Sequence, residues 1–271
     1  MTTVVLGCGN VGSAFARRWR AAYPDSALRC TVHRETSRDR LAGIDADIEV
    51  VDLLDAEQLA GVLRGANQIL FSAAPRRQDR GDLLWSDGMR NLVSALDCEF
   101  APHVVHVSST GVYAEDGGGG VDEDAALARG PHAQAMIAAE SVLGGATGVR
   151  STILRCAGLV GPGRGPQRDL ERLAGSARPG GDGWLNLVWI DDVAKVIERA
   201  FERGLTGVYN LSGTSMRRRE FYEPLLSRAG LEPVLWQVDP PRLGRRVLVD
   251  RFSRTFGMDL KTVDPLDLGE A

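Results

Sequence analysis

Lysine is nearly missing from this chain. Lys195 and Lys261 are the only two, and arginine makes up the rest of the 32 basic residues. Chemistry that needs a lysine ammonium is therefore confined to two positions. The arginine bias is that of a GC-rich genome, so a single arginine says little about function. Cysteine is sparse too: Cys8, Cys30, Cys98 and Cys156 lie far apart with no C-x-x-C pair. That spacing argues against a zinc site or a disulfide framework and fits a reducing compartment. The four histidines, His33, His103, His106 and His132, offer no metal-ligand spacing. No stretch approaches the ~18 apolar residues of a membrane span, and no basic segment precedes the short apolar run at the N-terminus. A cytoplasmic protein is expected. A net charge of −4 and a pI near 5.7 give no general pull toward nucleic acid or anionic membrane. The triplet Arg217-Arg218-Arg219 has no aromatic interleaving, so a helix N-terminal surface or a contact to an anionic substrate is the expected role.

What is present is alternation. Over the first ~155 residues, short β-branched runs alternate with helical patterns, the signature of a parallel sheet with right-handed crossovers. Strands are expected at 4–6, 28–32, 48–51, 69–71, 104–107 and 151–154. Val11, Phe15, Trp19 and Ala22 fall at near-helical spacing before Pro24. Further helices are expected at 56–64, along Met89, Leu92, Val93 and Leu96, and near 133–143. Beyond these come a short helix bracketed by glycine-rich loops at 161–165 and 179–183, a helix at 193–201, a strand at 208–211 and a helix at 219–229. The glycines at 117–120 and the acidic triplet Asp122-Glu123-Asp124 read as a solvated loop. The expected fold is α/β: a doubly wound parallel sheet with a small C-terminal lobe. Residues 1–160, with 184–213 returning, would form the core, and 161–183 with 214–271 the lobe.

The segment Gly7-Cys8-Gly9-Asn10-Val11-Gly12 follows an apolar strand and opens an amphipathic helix, the context in which G-x-G-x-x-G reads as a dinucleotide turn. Gly7 permits the turn, Gly9 lets backbone approach a pyrophosphate, and Gly12 allows close helix–strand packing. Amides of Asn10 and Val11 belong to the helix N-terminus, which supplies donors and positive potential. About 20 residues on, a carboxylate would bond a ribose 2′-hydroxyl and repel a 2′-phosphate. His33 and Arg34 stand there instead, with Arg38 near and Glu35 adjacent. The expected cofactor is NADP, with NAD as the alternative.

From this point the sequence resembles the extended and atypical short-chain dehydrogenase/reductase superfamily, within its NAD-dependent epimerase/dehydratase members, over most of the chain to about residue 213. Val51-Asp52-Leu53 is similar to the pair that packs on and bonds the adenine. Ser72-Ala73-Ala74-Pro75 resembles the small-residue turn lying along the dinucleotide. Residues 105–113 resemble the strand ending S-S-x-x-V-Y, which implies a cofactor contact at Ser108 and the substrate-binding serine at Ser109. Ile153-Leu154-Arg155-Cys156 with Gly161-Pro162-Gly163, the stretch from Asn186 to Ala194, and Val208-Tyr209-Asn210-Leu211 resemble later family segments. In the second of these Trp189 stands where a histidine is usual.

The family's Y-x-x-x-K pair is absent from the sequence. In that pair a lysine one helical turn from the tyrosine lowers a phenol pKa that is ordinarily ~10. Aligning on Glu140, the acidic residue that follows the lysine by four, puts Met136 at lysine and His132 at tyrosine. Imidazole titrates near ~6.5 unaided, so His132 would work without the lysine; equally, His132 is simply the start of a helix after Pro131. Tyr113 is a second candidate acid, and Ser109 would hold the substrate oxygen. No G-x-S-x-G elbow surrounds Ser109, which argues against hydrolase chemistry. Trp184, Trp189 and Trp236 stand either in a core or along an apolar pocket. The expected partner is a small-molecule substrate, with no nucleic acid and no membrane. Dimers are common in the superfamily, so a homodimer stays open. Two functions stay open as well: an NADP(H)-dependent oxidoreductase or epimerase-like enzyme on a small carbonyl or hydroxyl compound, and a redox-neutral enzyme or dinucleotide sensor on the same frame.

Overall fold

The computed structural model describes residues 1–74, 81–97, 99, 101–115, 117–238 and 243–268. The chain begins with β1 (Thr2–Leu6), whose Val4, Val5 and Leu6 are fully buried, and turns at the glycines into α1 (Asn10–Ala22). Val11, Phe15 and Trp19 form the buried stripe of α1, and Tyr23 caps it just before Pro24. β2 (Ala27–Val32) leads through a 3₁₀ turn at Glu35–Leu41 into β3 (Asp47–Val50). Asp55 then opens α2 (Ala56–Leu63) by accepting the amides of Glu57 and Gln58. β4 (Gln68–Phe71), α3 (Gly81–Ala95) and β5 (His103–Ser109) complete the first run of the sheet.

β6 (Gly120–Val121) is followed by α4 (Pro131–Gly144), which has proline in its first turn, where a missing amide is harmless. Then come β7 (Arg150–Cys156), β8 (Gly158–Val160), α5 (Leu170–Leu173), β9 (Ala177–Pro179), β10 (Trp184–Trp189) and α6 (Ile190–Arg203). The chain continues with β11 (Gly207–Leu211), β12 (Thr214–Arg217), α7 (Arg218–Arg228), β13 (Leu235–Gln237), β14 (Arg246–Val247) and α8 (Asp250–Phe256).

Seven strands form one parallel sheet in the order β11-β7-β5-β4-β1-β2-β3, flanked by helices. The order reverses beside β1, and in such sheets ligands bind outside the carboxyl ends of the strands at the reversal. Two compact units emerge from the packing. The first comprises Met1–Val112, Ala128–Arg155 and Val193–Tyr209. Its core packs Leu6, Phe71 and Val104 of the sheet against Met89 and Leu92 of α3 and Leu143 of α4. Phe15 and Trp19 of α1 meet Phe201 of α6 with ring centroids 5.7 and 5.9 Å apart.

The second unit comprises Tyr113–Leu127, Cys156–Asp192 and Asn210–Ala271. It contains a three-stranded sheet, β12-β10-β8, and the pairs β13-β9 and β14-β6. Val160, Leu187, Phe221 and Leu225 make its core. Here the structure departs from expectation. Glycine 120 starts β6, which pairs with Arg246 and Val247, so the glycine run is not wholly loop. The acidic triplet is not wholly solvated either. Glu123 is 8% exposed, accepts the Asn210 amide at 2.8 Å and faces Arg251 at 3.6 Å. Among the described residues, no helix is long and apolar enough to cross a membrane.

Candidate functional site

The turn after β1 is built by contacts that only glycine satisfies at two of its three positions. Gly7 has φ +86°, and a Cβ there would stand 2.5 Å from the Ala73 Cα. A Cβ on Gly12 would stand 2.6 Å from the Gly7 carbonyl and 2.7 Å from the Ser72 hydroxyl. Ser72 Oγ donates to the Gly7 carbonyl at 2.9 Å. The Gly7 amide donates to Thr31 Oγ1 at 3.0 Å, and the Cys8 amide to the Thr31 carbonyl at 2.8 Å. The turn is thus tied to the ends of both neighbouring strands.

Gly9 is different. Nothing lies within 4 Å of a Cβ built on it. It caps α1 without a side-chain hydrogen bond, and no acidic residue stands in the first helical turn. Amides of that first turn have no intrahelical acceptor and carry the positive end of the helix dipole. An open face over backbone donors, with close-packed glycines on either side, fits a pyrophosphate. Asn10 is exposed and Val11 buried; Ala73 is half-buried and Ala74 exposed beside the turn. Pro75 and Cys98 lie outside the described residues.

At the end of β2, His33 and Arg34 are exposed. Arg38 pairs with Glu35 at 2.6 Å and donates to the Ile48 carbonyl at 2.7 Å. The one carboxylate next to His33-Arg34 is therefore neutralised by its own helix neighbour. No hydrogen bond or ion pair engages the Arg34 guanidinium among the described residues. Asp52 is exposed and accepts the Leu54 amide at 3.0 Å, while Leu53 is buried in the core.

At the end of β5, successive serines part company. Ser108 is 7% exposed, and its hydroxyl donates to Glu140 at 2.5 Å. Glu140 also pairs with Arg155 at 2.7 Å, both side chains being buried. Ser108 is thus held inside the fold by its side chain, whose proton is engaged with Glu140. Ser109 is half-buried and accepts the Gly111 amide at 3.1 Å. A Cβ on Gly111 would stand 3.3 Å from both Ser109 Oγ and Met136 Cε, so these two atoms flank the same glycine. Met136 is buried at the position aligned with the lysine.

His132 is exposed in the first turn of α4, and its ring meets the Trp85 ring edge-on at 4.8 Å. Trp85 was legible as one more turn of the stripe that includes Met89 and Leu92. Tyr113 is 1% exposed, and its hydroxyl donates to Asn210 Oδ1 at 2.7 Å within the second unit. That hydroxyl is engaged with Asn210 inside the second unit. Burial holds the His106 pKa below the imidazole range, against the pull of Glu140. His103, also buried and beside Arg150, is lowered to about 4. Arg217 stacks over Trp184 at 3.8 Å and Arg219 pairs with Asp182 at 2.8 Å, so the arginine run is largely used within its own unit. No cluster of three metal-ligating side chains occurs among the described residues.

A model of the NAD(P)H-binding family matches residues 7–203, from the first turn glycine to the end of α6. The chain belongs to this family. Its cofactor class is accordingly a nicotinamide dinucleotide. Protein YeeZ of Escherichia coli K12 is 29% identical over 97% of this chain and 96% of its own length. Two solved structures share the fold. One is DesIV of Streptomyces venezuelae, a dTDP-glucose 4,6-dehydratase with NAD and TYD bound; it is 24% identical with a TM-score of 0.81, covering 97% of this chain and 93% of DesIV. The other is WbmG of Bordetella bronchiseptica with NAD and UDP; it is 17% identical with a TM-score of 0.81, covering 97% and 91%. At these identities the likeness is one of fold: a Rossmann-type parallel sheet flanked by helices.

Proposed function

We propose that this NAD(P)H-binding protein is an NADP(H)-dependent oxidoreductase or epimerase-like enzyme acting on a small carbonyl or hydroxyl compound. The observation that carries the reading is the open backbone face at Gly9, flanked by Gly7 and Gly12 in contacts that no side chain survives. Bound there, the dinucleotide supplies a hydride acceptor or donor. Asn10, Val11 and Gly12 contribute first-turn amides to its phosphates. Ala73 and Ala74 leave room alongside, and Asp52 with Leu53 lies at the adenine end. Arg34, and His33 beside it, favour the 2′-phosphate because Glu35 is neutralised by Arg38. Ser109 holds the substrate oxygen, and His132 gives or takes its proton.

One observation favours a second reading. Met136, buried at the aligned lysine position, brings no cation to the nicotinamide side of the frame. A redox-neutral isomerase or lyase, or a dinucleotide sensor, would need none. Incubating the protein and its His132→Ala variant with NADPH and a panel of aldehydes and ketones separates the two readings. Oxidation of NADPH that falls 10²–10⁴-fold in His132→Ala supports the first. Tight NADPH binding with no turnover of any substrate overturns it in favour of sensing.

A further inference from the structure

Two of the cysteines remain outside this account, and they meet at the dinucleotide turn. Cys8 stands between Gly7 and Gly9, and Cys30 lies on β2; both thiols are free and buried. β1 and β2 run in parallel with Val5 opposite Cys30. Cys8 Sγ folds back to 3.9 Å from the Val5 carbonyl, toward that same register. The Cys8 amide is bonded to Thr31, the residue after Cys30. Cys30 is the leading influence on the Cys8 thiol and, with burial, raises its pKa. Cys156, by contrast, is pushed up to about 12 by burial alone.

We propose that Cys8 and Cys30 are a redox-sensitive thiol pair that closes to a disulfide and thereby weakens dinucleotide binding. The step needs a two-electron oxidant of the peroxide class. One thiolate attacks a peroxide oxygen, forming a sulfenic acid and releasing water once the departing oxygen is protonated. The second sulfur then attacks the sulfenic sulfur, the S–S bond forms, and the hydroxyl leaves as a second water. Two thiols and one hydrogen peroxide thus give one disulfide and two waters. The two sulfurs must approach to ~2.05 Å to bond. The displacement falls on residue 8, whose neighbours Gly7 and Gly9 are the cradle itself. Both thiols are shielded and Cys8 is held protonated, so reaction requires the turn to open. A bound dinucleotide keeps the turn closed, which makes occupancy and oxidation mutually opposed.

This inference rests on the proposed role of the turn. Its test reads the crosslink and the binding separately, so that failure of one is not mistaken for failure of the other. The full chain carrying Cys98→Ser is treated with hydrogen peroxide, with and without saturating NADPH. Peptide mass spectrometry should find Cys8 joined to Cys30 with loss of two hydrogens, at a rate at least tenfold lower with NADPH. The crosslinked protein should bind NADPH at least tenfold more weakly, and dithiothreitol should restore it. Cys30→Ala, and independently Cys8→Ser, should keep the same affinity before and after peroxide. If the folded protein yields no such peptide, or the crosslinked protein binds NADPH as tightly as the reduced one, the proposal is overturned.

Discussion

Replacing each turn glycine by alanine separates ligand contact from packing. At Gly9 the φ of −79° lies on the side of backbone space open to L residues, and the added methyl meets nothing within 4 Å. Gly9→Ala should therefore fold with a stability within ~1 kcal/mol of the parent. The same methyl projects over the face assigned to the pyrophosphate, so NADPH affinity should fall at least ~10-fold, or ~1.4 kcal/mol. At Gly12 the pattern inverts. A methyl 2.6 Å from the Gly7 carbonyl and 2.7 Å from Ser72 Oγ forces α1 away from the turn. Overpacking of that kind costs roughly 1–3 kcal/mol, or a Tm lower by some 2–4 °C per kcal/mol in a chain of this size. Thermal melts without ligand read the packing, and fluorescence titration with NADPH reads the contact. Gly9→Ala binding as tightly as the parent, or Gly12→Ala melting with it, would refute the reasoning.

Three more expectations concern other parts of the fold. His103 has a folded pKa of about 4 against ~6.5 when unfolded, so the unfolded chain binds the extra proton between those values. Stability is full above pH ~6.5 and falls by up to ~3 kcal/mol as pH drops toward 4; urea titrations across that range should show a slope that His103→Leu flattens. Glu140→Ala leaves Arg155 buried without its carboxylate and should cost about 3–5 kcal/mol by urea unfolding, much of it recovered in Glu140→Leu/Arg155→Met. Arg34→Ala should reduce NADPH affinity ~10-fold while leaving NADH unchanged, as judged by paired titrations.

Local chemistry was legible in the sequence and distant partnership was not. The glycine turn, the Phe15–Trp19 stripe and the sheet strands follow from spacing within a few residues, and the structure has them in the expected places. β10 is harder to see, because Trp184–Trp189 shows no clean alternation and its neighbours β8 and β12 are short. Glu123 reads as solvated until its acceptor role to Asn210, 87 residues away, is seen. Tyr113 ends a family-like motif, yet the hydroxyl goes to Asn210, a partner that spacing does not reveal. Glu140 was useful only as an alignment anchor; its bonds to Ser108 and Arg155 depend on how β5, α4 and β7 stack. Side chains whose roles are set by strands far apart in the chain are those that periodicity misjudges.

The claim on which the rest depends is that the Gly7–Gly12 turn grips a nicotinamide coenzyme carrying a 2′-phosphate. Calorimetric titration of the reduced protein with NADPH and then NADH addresses it in one experiment. One saturable site per chain, tighter for NADPH and lost in Gly9→Ala, is the predicted result. Heat that never saturates with either coenzyme, or saturation indifferent to Gly9→Ala, would contradict it.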